Sequence, residues 1–221
     1  MNVRATPSPL TAPGWAGVIL FVGFGTVVLV LRLADQAPVR QRELVGAVAM
    51  GCLYAAPGLL ALLARAGRPL LLLSGAVLGF ALVPTSFSIT PLLVLPSALL
   101  LVARRRTAPD RGRTPRGVAV VVSTVAFAVP AFVVLFASDD PLCWTYSEDA
   151  SGGRHYVTRS GGDPDHLSAQ VGPGESGGGC TSDVITPVEG LASLTFTGLL
   201  LVSAVWLARP VGEPERRPVR P

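Results

Sequence analysis

The residues best equipped for chemistry lie together in one polar segment, Ser138 to Pro187. It holds Cys143 and Cys180, both histidines (His155 and His166), the aromatic residues Trp144, Tyr146 and Tyr156, and eight of the chain's 14 acids. Asp163, Asp165 and His166 sit close together, and with His155 and Glu148 they offer the oxygen and imidazole donors that suit a divalent ion. Their spacing matches no zinc or calcium pattern, so a solvated acidic loop without metal is expected. Serine, histidine and carboxylates also invite a catalytic reading. No nucleophile stands in a strand-to-helix elbow, and a glycine-rich loop is a poor scaffold for preorganised chemistry. No catalytic residue and no cofactor are therefore expected.

The cysteines point to architecture instead. Cys143 and Cys180 are too far apart for a C-x-x-C redox pair, and in an oxidising compartment they form a structural disulfide. Closing a loop of about 38 residues stabilises the folded form by roughly 4 kcal/mol. Cys52 lies in an apolar run and reads as a small buried residue. Two short runs, Cys143 to Tyr146 and His155 to Thr158, flank a glycine-containing break and suggest a hairpin. Beyond it, the glycine- and proline-rich GGDPDH and VGPGESGGGC read as mobile chain. Trp144, Tyr146, His155 and Tyr156 are the candidate contacts for a ligand or partner, against the plainer role of a small local core or headgroup contact.

Everything around this segment is apolar. The 221 residues are 50% hydrophobic and only 14% charged, with a mean hydropathy of +0.54, values outside the ordinary soluble range. All 18 basic residues are arginine, which reflects GC-rich coding. The polar segment has two of them, Arg154 and Arg159, against its eight acids, a net −6 that leaves +10 on the remainder. A basic pI near 9.5 invites nucleic acid as a partner, yet the arginines cluster at the ends of apolar runs, as positive-inside topology requires. No nucleic-acid role is expected.

Taken in order, residues 1 to 14, with three prolines, read as a disordered cytoplasmic leader. Trp15 to Leu31 is a charge-free run long enough to cross a hydrocarbon core of about 30 Å at 1.5 Å per residue. A polar connector, Arg32 to Glu43, precedes a second run, Leu44 to Leu63, where Gly46, Gly51 and Gly58 permit close helix packing and Pro57 a kink. Pro69 to Ala103 would exceed a bilayer as one helix, at roughly 50 Å. It breaks where Pro84 and Pro91 flank Ser86, Ser88 and Thr90, as a tight hairpin of two spans first and a re-entrant loop second. Arg104 to Arg116, with six arginines and one acid, marks the cytoplasmic side. Gly117 to Ala137 and Val188 to Leu207 bracket the polar segment, and residues 208 to 221 form a tail.

Arginine counting gives 13 inside and five outside for either five or six crossings, and span length favours six. Ionisable residues inside a bilayer flag ion pathways. None is placed mid-span, and Glu189 comes nearest. The expected fold is thus an all-α membrane protein: six transmembrane helices over residues 15 to 137 and 188 to 207, with one extracytoplasmic disulfide-closed loop. The expected setting is a bacterial plasma membrane. The expected function is a non-enzymatic accessory subunit or sensor presenting its exterior loop, its partners being the lipid bilayer and a membrane protein or a second copy of itself. The alternative is a transporter or pore for a neutral or lipid-like substrate, suggested by the broken region from Pro84 to Pro96.

Overall fold

The computed structural model describes residues 10–34, 37–66, 68–85, 91–107, 115–136, 142–159, 175–181 and 184–209. It is mostly helical. Six α-helices are α1 (Ala12–Leu33), α2 (Ala37–Leu63), α3 (Leu70–Ala81), α4 (Pro91–Thr107), α5 (Pro115–Phe136) and α6 (Pro187–Leu207), and three strands precede α6: β1 (Leu142–Glu148), β2 (Arg154–Arg159) and β3 (Gly177–Thr181). Proline opens the helices throughout. Pro91, Pro115 and Pro187 are first residues, Pro13 and Pro38 second, and Pro69 is the cap of α3. At these positions the missing N–H costs no intrahelical bond and the fixed φ already suits the helix.

Four of the described helices are long and apolar enough to cross a membrane: α1, the Glu43–Leu63 part of α2, α5 and α6. Their outward faces carry Ile19, Leu44, Val122 and Val202, each more than half exposed, an apolar surface that water disfavours and lipid accepts. The expectation of six spans needs correcting. α3 has 12 residues, about 18 Å of rise, and α4 has 17, the last four being Arg104–Arg105–Arg106–Thr107. A 3-10 turn at Val83–Thr85 takes a further piece of the apolar stretch, and residues 86–90, with Ser86, Ser88 and Thr90, lie outside the described residues. The expected connector Arg32 to Glu43 is corrected too. Both of its ends are helical, which leaves only residues 34–36 between α1 and α2.

The chain forms two compact units. One comprises Met1–Ile19, Pro57–Val125 and Leu200–Pro221, and the other Leu20–Ala56 and Ala126–Leu199. Each of the four long helices contributes to both units, whereas the α3 and α4 hairpin belongs entirely to the first. Within that unit Leu60, Leu71, Leu78, Leu93, Leu100 and Val120 are buried. Hydroxyl pairs join its helices, Ser74 to Thr124 at 2.7 Å and Ser123 to Ser203 at 2.9 Å. The Arg65 guanidinium lies 5.0 Å from the Trp15 ring centre. In the second unit Phe21, Ala49, Met50 and Leu53 are buried, and Phe24 meets Tyr54 edge to face at 5.2 Å. Cys52, expected inside, is exposed, because its neighbours Gly51 and Leu53 are the ones turned inward.

The second unit also contains a three-stranded antiparallel sheet in the order β2-β1-β3. β1 and β2 are the expected hairpin. Its turn is fixed by the Asp149 carboxylate, which accepts from Ser151 N and Oγ at 2.9 and 2.6 Å and from Gly153 N at 2.7 Å. Gly152 adopts φ 81°, which suits glycine. The third strand, Gly177–Thr181, forms where the sequence predicts mobile chain at SGGGC. Glycine weakens strands because it has no side chain to pack, and here two rings supply what glycine lacks. Trp144 lies over Gly179 and Tyr146 over Gly177, so close that a Cβ at either glycine would stand 2.8 Å from ring carbon. Aromatic cover of strand glycines is a known stabilising device. Cys143 and Cys180 sit opposite each other in the register and are disulfide-bonded. Leu142, Trp144 and Val184 form the sheet's small core, with Tyr156 packed against it.

Gly179→Val should therefore displace the Trp144 ring and weaken β3. The expected result is a smaller fraction of chains with the Cys143 and Cys180 pair oxidised, scored by maleimide mass-tagging, and a lower thermal midpoint, while Gly178→Ala at the exposed position leaves both unchanged.

Candidate functional site at the base of the sheet

The register decides which candidate contact residues act together. Trp144 pairs with Thr158, Tyr146 with Tyr156 and Ser147 with His155, so Trp144, Tyr146 and Tyr156 share one face while His155 lies on the other. Trp144 turns into the core and is 7% exposed. Tyr146 and Tyr156 remain half-buried with ring centres 5.9 Å apart, and the Arg154 guanidinium stands 4.9 Å from the Tyr146 ring centre. The hydrogen bond with Tyr156 is the leading cause that favours the protonated Arg154 further. His155 is exposed, with Asp149 3.6 Å away. Asp163, Asp165 and His166 lie outside the described residues.

Sequence reasoning missed the residue beneath the sheet. Glu43, assigned to a polar connector, is in α2 and only 1% exposed. A carboxylate removed from water must be paired and hydrogen-bonded. Arg32 Nη1, near the end of α1, donates to both its oxygens at 3.3 and 3.2 Å. The backbone N–H of Ile185, between β3 and α6, donates to Oε1 at 3.4 Å. One turn along α2, Gly46 makes room for Ile185: a Cβ there would stand 2.5 Å from the isoleucine Cγ2. Gly190 of α6 in turn fits against Val45 and Gly46, its would-be Cβ 2.8 Å from the Gly46 nitrogen. Val184 belongs to the sheet core and Ile185 to the α2 notch, so two consecutive residues couple the sheet to the helices. Glu43 is the one acid between Asp35 and Asp110, and a lone acid opening an apolar run was the available signal.

Glu189 also receives a concrete task. Thr186 N donates to Glu189 Oε2 at 2.7 Å, and Glu189 N donates to Thr186 Oγ1 at 3.4 Å. The sequence Thr186-Pro187-Val188-Glu189 is thus a capping box that starts α6. The carboxylate is engaged in helix initiation at the segment where the sheet enters the bundle.

The arrangement presents a tyrosine pair and an arginine on a disulfide-closed sheet, and it fixes the sheet's exit to α1 and α2 through one buried acid. Aromatic faces and a guanidinium are groups that can make stacking and cation–π contacts, and Val184 and Ile185 give continuity between sheet and helices. No known protein family matches the chain, and neither a curated protein nor a solved structure resembles it.

Two predictions follow from these geometries. Arg32→Met leaves a buried carboxylate short of its cation and should destabilise the fold by about 3 kcal/mol, measured by thermal unfolding in detergent. Glu43→Gln, which keeps an acceptor for Ile185, should cost less, and Arg32→Met with Glu43→Leu should recover most of the loss. For the turn, hydrogen bonds from the Ser151 hydroxyl and then the Gly153 and Ser151 amides hold the Asp149 carboxyl below its ordinary value. Its contribution is therefore fully present above the ordinary carboxylate range and fades as pH falls through the depressed folded value. NMR shifts of the Ser151 and Gly153 amides should titrate in that acidic window and become flat in Asp149→Asn.

Proposed function

We propose that this is a multi-pass integral membrane protein of a bacterial plasma membrane that works as a non-enzymatic accessory subunit or sensor, offering its disulfide-closed sheet to a membrane-protein partner or a second copy of itself. The observation that carries the reading is the fixed base of the sheet. An exterior loop that merely joined two spans would need no buried ion pair, no glycine notch and no core of its own. The Tyr146, Tyr156 and Arg154 face supplies the contact chemistry, while Val184 and Ile185 give any load on the sheet a route to α1 and α2.

The topology we propose has an even number of crossings. The bond from Ile185 to Glu43 supports putting the turn between α1 and α2 on the same side of the membrane as the sheet, an arrangement that five crossings would not allow. A hairpin confined to one unit favours four full spans with α3 and α4 as a re-entrant pair over six spans. Both keep 13 arginines inside and five outside, and both keep the oxidised cysteines in the oxidising compartment.

The test is photocrosslinking in native membranes. A benzophenone side chain introduced at Thr158, exposed on β2 and on the same face as Tyr156 and Arg154, should yield a discrete protein adduct on irradiation, and the same probe at outward-facing Val202 on α6 should yield mainly lipid adducts. Uncrosslinked monomer from Thr158 and from Arg154 on the same face would overturn the proposal. The transporter reading would gain if vesicles containing the pure protein passed small neutral solutes.

A further inference from the structure

Charge divides sharply between the two units. The first holds 13 arginines and three acids, the second five arginines and 11 acids. Among its described residues the first unit has seven arginines (Arg65, Arg68, Arg104 to Arg106, Arg116 and Arg209) and no acid. The contacts between its helices bring these arginines to one end. Trp15 of α1 lies against Arg65, just past the end of α2. Gly17 of α1 packs on Leu100 of α4, its would-be Cβ 2.7 Å from Leu100 Cδ2, and Arg104 follows about 6 Å further along that helix. Ser123 bonds Ser203, with Arg116 about 10 Å away toward the start of α5 and Arg209 about 9 Å away past the end of α6. Ser74 bonds Thr124, and α3 begins one turn earlier, where Pro69 and Arg68 precede it. The starts of α1, α3 and α5 thus share a level with the ends of α2, α4 and α6. Their three positive and three negative helix dipoles cancel, and the arginine charge remains.

Positive-inside topology explains the side of a membrane on which arginines lie. It does not explain the surface beside them. On α6, Leu199, Val202, Trp206 and Arg209 form one exposed stripe at helical spacing, apolar, then aromatic, then cationic. On α4, exposed Leu95 and Val102 lead to exposed Arg105 and Arg106 in the same way. On α1, Ile19 leads to Trp15 and the Arg65 guanidinium. An acyl chain, an ester region and a phosphate follow that order from bilayer to water. Indole rings favour the headgroup level, and guanidinium forks match phosphate oxygens.

We propose that the arginine end of the first unit binds anionic glycerophospholipid, with guanidinium groups on the phosphate and the apolar stripes along the acyl chains. This partner depends on the membrane reading above and belongs to the helices, apart from whatever meets the sheet.

The experiment is native mass spectrometry of the full chain in detergent, titrated with phosphatidylglycerol or with phosphatidylcholine of the same acyl chains. Each arginine near a surface raises affinity for negative charge about fivefold, so phosphatidylglycerol should be held at least about tenfold tighter. Arg104→Gln, Arg105→Gln and Arg106→Gln together should cut the preference to about twofold or less, whereas Arg154→Gln with Arg159→Gln on the sheet leaves it intact. Arg104→Lys, Arg105→Lys and Arg106→Lys together keep the charge, and with it the topogenic signal, and should retain most of the preference. Should the glutamine variant fail to insert, added salt must still weaken the preference in wild type. Equal affinity for the two lipids, a glutamine variant that keeps the preference, or displacement of the lipid by inorganic phosphate at equal concentration would each overturn the proposal. A chain soluble without detergent would overturn the membrane reading as well, whereas an embedded chain without lipid preference overturns this proposal alone.

Discussion

A buried carboxylate must be answered by donors, and Glu43 turns that requirement into architecture. Satisfying it draws together the end of α1 through Arg32, the start of the apolar part of α2 through its own backbone, and the approach to α6 through the Ile185 amide. Buried ion pairs contribute little net stability compared with well-packed apolar residues. Their attested value lies in fixing register, since wrong pairings leave a charge stranded. In this chain the register being fixed is that between the helices and the sheet. Gly46 and Gly190 bring the backbones close enough for the weak, long bond from Ile185 to form, and the capping box at Thr186 and Glu189 starts α6 at the point where that contact is made.

The sheet above it solves a different difficulty. Three short strands with one glycine-rich member cannot hold together on backbone bonds alone. The disulfide joins β1 to β3 directly, and Trp144 and Tyr146 fill the surface that Gly177 and Gly179 leave bare. The same choice shapes the exposed face. Because Trp144 is committed to the core, the tyrosine pair beside Arg154 is the half-buried aromatic part of that face.

Much of this was legible in the residues. Long charge-free runs located α1, α5 and α6 closely, whereas α2 starts at Ala37, well before the expected Leu44, and the pairing of Cys143 with Cys180 followed from compartment and spacing. Alternating aromatic and β-branched residues announced the β1 and β2 hairpin. What failed to show was tertiary. β3 has no strand signal of its own, since its stability comes from rings on another strand. Glu43 reads as connector because hydropathy treats every acid alike, and only the positions of Arg32 and Ile185 reveal that it is inside. Cys52 was expected inside because an apolar run does not disclose which of its faces is turned outward. The shortness of α3 depends on where the helix stops before Pro84, which composition alone does not set.

The contact between α2 and the entry to α6 is where the sheet and the helices meet, and Gly46→Ala with and without Ile185→Gly tests it most directly, since a Cβ at Gly46 would stand 2.6 Å from that of Ile185. Gly46→Ala should lower the thermal midpoint in detergent, and Ile185→Gly, which removes the clashing atoms, should cost much less in that background than alone. A Gly46→Ala chain as stable as wild type, or losses that simply add in the double variant, would contradict the contact.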